Sequence, residues 1–157
     1  MIYPFVSKKM YTQQQTLEVL LVEDDPDDVE LTLAAVERSR LNINLCVINN
    51  GEEVLPYLNR QGQYAKTVAP NLILLDLHLP GLDGLEILSL LKNDQRLKII
   101  PIIVLTGSRA DAETTESYNL GASCFVQKPT EIEEFNKLVN LIDSFWLNAV
   151  KLPRLDN

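Results

Sequence analysis

Leu72-Ile73-Leu74-Leu75-Asp76-Leu77-His78-Leu79-Pro80-Gly81-Leu82-Asp83-Gly84 is the stretch that decides how the chain folds. A short, unbroken apolar run closed by proline and glycine reads as a strand buried on both faces, the habit of parallel sheets. The run ends on a carboxylate, Asp76. Upstream, Leu17-Glu18-Val19-Leu20-Leu21-Val22-Glu23-Asp24-Asp25-Pro26 ends the same way, in three consecutive acids. Working outward, strands are expected at Glu18 to Val22, Asn44 to Ile48, the run ending at Asp76, Ile102 to Leu105 and Cys124 to Gln127. Amphipathic stretches alternate with them. One follows Asp25-Pro26 with Val29, Leu33 and Val36, another holds Val54, Leu55 and Leu58, and a third follows Asp83-Gly84 with Leu85, Leu88 and Leu91. Two more run from about Asp111 to Leu120 and from about Glu131 to Leu147. The pattern predicts an α/β fold: a doubly wound, five-stranded parallel sheet in a single domain. Pro56 falls inside the second helix, which should therefore be short or kinked.

The chain has 157 residues, 46% of them apolar, which is room for one domain with a proper core. Its net charge of -8 and lack of clustered Lys and Arg argue against a nucleic-acid surface. An acid surplus suits steering toward a basic patch on a protein partner. Cys46 and Cys124 sit in apolar, strand-like stretches and read as free buried thiols of a reducing compartment. No segment approaches the roughly 20 apolar residues of a membrane-spanning helix, and none has signal-peptide character, so a cytoplasmic location is expected. Residues 1–16 read as a flexible leader, 17–147 as the folded domain and 148–157 as a tail.

In an open parallel sheet, ligands bind outside the carboxyl ends of the strands, so the acids after the first and third strands should meet there. Clustered like charges are costly unless a cation neutralises them, and hard oxygen donors suit a divalent ion such as Mg2+. The fourth strand delivers a hydroxyl, Thr106, and the fifth an ammonium, Lys128. Nucleophilic Asp76, a metal-bound acidic cluster, a hydroxyl and a lysine make a constellation for handling a phosphoryl group. Asp25, Asp27 and Asp28 read more simply as acids at a helix start, where they complement the dipole. Asp83 reads as a turn residue and helix cap. His78 is the sole histidine, so multi-histidine metal sites and Ser-His-Asp triads are excluded.

This ordered set resembles the receiver domain of two-component response regulators, over about Leu17 to Leu147. The resemblance places the family's acidic pair on Glu23 and Asp24, its phosphoacceptor on Asp76, its switch hydroxyl on Thr106, its switch aromatic on Phe125 and its lysine on Lys128. Strand chemistry alone leaves Thr106 equally readable as a plain strand end, and Phe125 as plain core. The resemblance further implies Mg2+ bound by Asp24, Asp76 and the backbone carbonyl of His78, with Glu23 acting through metal-bound water. It implies a cis bond at Lys128-Pro129, and side chains of His78 and Ser108 flanking the path of the hydrolytic water. A loop histidine with no role beyond its carbonyl is the other reading of His78. Gly62-Gln63-Tyr64 and the ending Ser144-Phe145-Trp146-Leu147 narrow the likeness to small regulators paired with cyanobacterial phytochromes.

The expectation is a non-enzymatic, phosphorylation-driven switch, fed by a histidine kinase of phytochrome type and signalling by protein contact or phosphorelay. A receiver-like binding module that is never phosphorylated is one alternative. An aspartyl-phosphate hydrolase of the haloacid dehalogenase type is another, disfavoured because Asp76 closes the third strand and is followed by Leu77-His78. Ile132, Phe135, Leu138, Val139 and Ile142 recur at core spacing, yet Leu141, Phe145, Trp146, Leu147, Val150 and Leu152 extend the apolar character beyond one face. That surplus predicts a homodimer interface including Phe145, Trp146 and Leu152.

Overall fold

The computed structural model describes residues 16–39, 42–107, 109–147 and 149–155. The expected flexible leader before Thr16, and Ser108, lie outside them. Five strands, β1 (Leu17–Val22), β2 (Ile43–Ile48), β3 (Leu72–Leu75), β4 (Ile102–Thr106) and β5 (Cys124–Gln127), alternate with five helices. These are α1 (Pro26–Arg38), α2 (Val54–Leu58), α3 (Gly84–Asn93), α4 (Asp111–Asn119) and α5 (Ile132–Leu141). All strand pairs are parallel and their order is β2-β1-β3-β4-β5. The doubly wound architecture expected from the apolar runs is the one observed, with its topological switch point between β1 and β3.

Strand side chains alternate between two cores, which is why the apolar runs are unbroken. Leu20, Val22, Ile73 and Leu75 point toward α2 and α3, meeting Val54 and Leu88. Val19, Leu21, Leu72 and Leu74 point the other way, meeting Val29 and Leu138. On that second side α1 and α5 also clasp each other through Ala35, Phe135 and Val139. Fully burying a side chain such as Phe135 contributes about 1.5–3 kcal/mol relative to exposure.

Helix starts follow local chemistry. Asp25 caps α1 by accepting the Asp27 N–H at 2.9 Å, and Pro26 opens the helix where its missing N–H costs nothing. Asp83 and Glu86 form a reciprocal capping box at α3, so the cap read at Asp83 is present. The helix containing Pro56 is short, as expected: a 3-10 turn over Gly51–Glu53 leads into five α-helical residues, with Pro56 still in the first turn.

Three expectations need correction. Leu33 is 43% exposed, while Thr32 and Ala35 are the buried residues of α1. Thr32 can be buried because its hydroxyl donates to the Asp28 carbonyl at 2.8 Å. The last helix does not run regularly to Leu147 but passes into a π-helical turn over Ile142–Leu147. That turn seats Ile142 and Trp146 together on the second core. The Lys128-Pro129 bond is trans, the lower-energy form of a prolyl bond, and no cis peptide occurs among the described residues.

Gly84 has a role beyond turn chemistry. Its N–H donates to the Leu77 carbonyl at 2.8 Å, and a Cβ there would overlap the Asp76 carbonyl and lie 2.5 Å from the Leu77 Cα. Both neighbours are backbone and cannot swing aside. Gly84→Ala should therefore lower unfolding free energy by about 1–3 kcal/mol, the usual cost of overpacking, as read by urea denaturation. It should also shift backbone resonances at Asp76.

Candidate functional site

Sheet register brings the acids together. Val22 of β1 pairs with Leu75 of β3, so Glu23 and Asp76 each follow a paired residue on neighbouring strands. The Asp76 N–H donates to the Val22 carbonyl and the Glu23 N–H to the Ile48 carbonyl, both at 3.0 Å, which carries the ladder one step into the site. Glu23, Asp24 and Asp76 each offer a carboxylate oxygen within 4.8 Å of the others. Glu23 and Asp76 are buried and Asp24 is exposed, so the triad opens to solvent on one side. Three hard, anionic oxygen donors in this arrangement fit a divalent cation.

On the other side of the switch point, Thr106 pairs with Gln127, and Lys128 follows it. The Lys128 N–H donates to the Thr106 carbonyl at 2.8 Å, so the two residues are locked in register. The Lys128 Nζ lies 2.6 Å from Glu23, 2.8 Å from Asp28 and 3.4 Å from Asp76. Burial works against the charge on Lys128, but contacts with Asp28, Glu23 and Asp76 outweigh it and hold the ammonium above its usual range. Burial pushes the Glu23 carboxyl up to about 7, against the lowering pull of Lys128 and of the Asp25 N–H. Asp76 adds to the upward push by like charge. Burial is thus the main reason this carboxyl resists ionising, and the neighbouring Asp76 adds to it.

Most sequence-predicted residues are placed at this edge. Glu23, Asp24, Asp76 and Lys128 converge, and Thr106 is fully buried at the end of β4. The backbone N–H of His78 lies 3.4 Å from Asp76 Oδ1. Its side chain turns outward, with Nε2 3.5 Å from Glu113 on α4. A shallow cavity of about 280 Å3 opens there, lined by Leu77, His78, Leu79, Asp83, Leu85 and Glu113. Phe125 is half-buried against the first core, and its N–H donates to the Tyr118 hydroxyl at 3.1 Å. At the far end of α5, Phe145 is exposed, whereas Trp146 and Leu152 are half-buried against their own domain's second core.

Sequence reasoning missed the contact of Asp28 with Lys128. Asp28 is more than a helix-start acid, because its Oδ2 lies 2.8 Å from the Nζ of Lys128, the residue that follows β5. Tyr118 and Glu113 were also missed. Both lie on a helix whose polar sequence carries no core periodicity, and Ser117 is its only buried residue among those described.

A family model described as the response regulator receiver domain matches residues 19–140. The chain is 38% identical over 135 residues to response regulator Rcp1 of Synechocystis sp., covering 86% of this chain and 92% of that protein. The crystal structure of the Mn(2+)-bound form of response regulator Rcp1 is similar at a TM-score of 0.81 and 38% identity, covering 88% of this chain and 99% of that one. The phosphorylated cyanobacterial phytochrome response regulator RcpA is similar at a TM-score of 0.84 and 35% identity, over 89% of this chain and 100% of that one.

If the triad holds a divalent ion, Asp24→Ala removes a ligand without opening the core. Losing even an outer partner of a metal ligand typically costs 10–100-fold, so affinity for Mg2+ or Mn2+ should fall by at least about tenfold by calorimetric titration. Wild-type affinity in the variant would leave Asp24 as a helix-start acid and nothing more.

Proposed function

Because the chain belongs to the response regulator receiver domain family, we propose that Asp76 is its phosphoacceptor and that a histidine kinase of phytochrome type supplies the phosphoryl group. The observation that carries this reading is a buried Asp76 carboxylate beside two further acids, with the Lys128 ammonium 3.4 Å away. A carboxylate oxygen of Asp76 attacks phosphorus in line as the P–N bond to the kinase imidazole breaks. The electron pair leaves with the imidazole nitrogen, which then takes up a proton. Asp24, Asp76 and the His78 carbonyl, with Glu23 acting through water, would hold Mg2+, which would supply neutralising charge for the phosphoryl oxygens. Lys128 donates to another of those oxygens.

Transmission follows from what borders the site. The Thr106 hydroxyl turns toward the new phosphoryl group and the Phe125 ring moves into the space it leaves. The element best able to respond is α4, which buries little, borders the cavity and is tied to the site by His78–Glu113 and Tyr118–Phe125. The domain acts as a switch in the cytoplasm rather than as a turnover enzyme, and its signal leaves by protein contact or phosphorelay. Similarity to the cyanobacterial phytochrome response regulator RcpA supports the phytochrome-type partner. Leu141 and Phe145, 65% and 57% exposed and one helical turn apart, support a homodimer through α5. Trp146 and Leu152, half-buried against the second core, would reach the partner only at their exposed edges.

Asp76→Asn keeps the size and much of the hydrogen bonding of the side chain but removes its nucleophilic charge. Labelling by a cognate kinase or by acetyl phosphate should vanish while the circular dichroism spectrum and melting curve persist; label retained at another carboxylate would sink the assignment. For the dimer, Phe145→Asp places a charge in the exposed patch while leaving every buried core residue in place. Sedimentation at micromolar concentration should show a dimer for the wild type and a folded monomer for the variant. A wild-type monomer, with and without phosphorylation, would defeat this part of the reading.

A further inference from the structure

Lys128 has three N–H donors and meets three carboxylates, and its two shortest contacts are not to Asp76. One of them, Asp28, stands outside the triad whose oxygens converge on a common point. It occupies the third position of α1, one residue after Asp27. The two differ in setting: Asp27 is exposed, whereas the Asp28 side chain is 22% exposed and its Oδ2 lies 2.8 Å from Lys128 Nζ. A lysine ammonium is a compact charge on a flexible stem, so the carboxylates around it decide where it rests.

We propose that Asp28 is a positioning residue that draws the Lys128 ammonium away from Asp76 and so limits how tightly the site retains a phosphoryl group. The inference rests on the reading of Asp76 as phosphoacceptor. Phosphorylation replaces the single charge of Asp76 with the nearly double charge of an acyl phosphate, which makes the demand on Lys128 larger. Asp28 opposes that change in two ways. It already occupies one of the lysine's donors, and its own charge repels the incoming dianion across a partly buried gap where screening is weak. The same pull has the opposite effect on cation binding. An ammonium held toward Asp28 competes less with a metal at Asp76, so Asp28 favours the cation and disfavours the phosphoryl group.

The opposed signs supply the test. Asp28→Asn is isosteric and removes only the charge, and Asp27→Asn removes the same charge from the same helix terminus without contact to Lys128. The full chain is titrated with Mg2+ alone, and with trifluoroberyllate at saturating Mg2+, the bound fluoride being followed by 19F NMR. Asp28→Asn should bind trifluoroberyllate about three- to tenfold more tightly, the effect of one partly screened charge, and bind Mg2+ more weakly. Asp27→Asn should match the wild type in both, and Asp28→Glu, which keeps the charge and the reach, should restore both values. Loss of structure alone would weaken both ligands together. Unchanged or weaker trifluoroberyllate binding in Asp28→Asn would overturn the proposal. Wild-type protein that binds no trifluoroberyllate would instead overturn Asp76 as phosphoacceptor, and this inference with it.

Discussion

One lysine ammonium holds together a group of carboxylates that would otherwise repel one another, and the geometry of the sheet's carboxyl edge depends on it. Glu23, Asp28 and Asp76 come from β1, α1 and the end of β3, and Lys128 from the end of β5. Removing charges from water is costly unless they are paired, so the acids that sheet register brings together need this ammonium among them. The pairing is incomplete. Burial pushes the Glu23 carboxyl up to about 7 despite its contact with Lys128, so one ammonium does not offset the cost of taking this acid out of water. A site where three acids converge beside a single ammonium is prepared for a divalent ion, and is sensitive to any group that changes the charge on Asp76.

Legibility in the sequence tracked how each residue is constrained. Short apolar runs bounded by turn residues marked all five strands, the central ones buried on both faces and the edge strands β2 and β5 only partly, and the meeting of Asp76 with Glu23 and Asp24 was readable from their ends. The core of α5 was readable for a similar reason: Phe135, Val139 and Ile142 recur at the spacing of one helical face and are buried. In α1 the same rule failed at Leu33. There the buried stripe runs through Thr32 and Ala35, and a small or self-satisfied residue gives no hydropathy signal. Asp28 escaped for a different reason. An acid near a helix start has a sufficient local explanation, and its partner lies 100 residues away in the chain.

Glycine shows the same limit on a smaller scale. Gly84 looks like half of a turn dipeptide, yet it is the place where α3 presses against the backbone of Asp76 and Leu77. Gly51 packs as closely on the Leu82 carbonyl, so the loop after β3 is gripped on both sides by backbone that admits no Cβ. A rigid loop carrying Asp76 and a loosely buried α4 beside it divide the labour between holding geometry and responding to it. Asp83 and Glu86 reinforce the rigid half by closing the start of α3.

The hydroxyl of Tyr118 bears on a different property. Strand β5 is an edge of the sheet, and its Phe125 N–H is met by that phenol. An unoccupied edge donor is a template on which a strand of another chain can add, and proteins commonly shield such edges with short strands or a covering helix. Here both devices are present: β5 has four residues, and a helix lays one aromatic side chain across it. The helix best placed to move is therefore also the one that protects the sheet from pairing with its neighbours, which sets a limit on how far it can travel before solubility suffers.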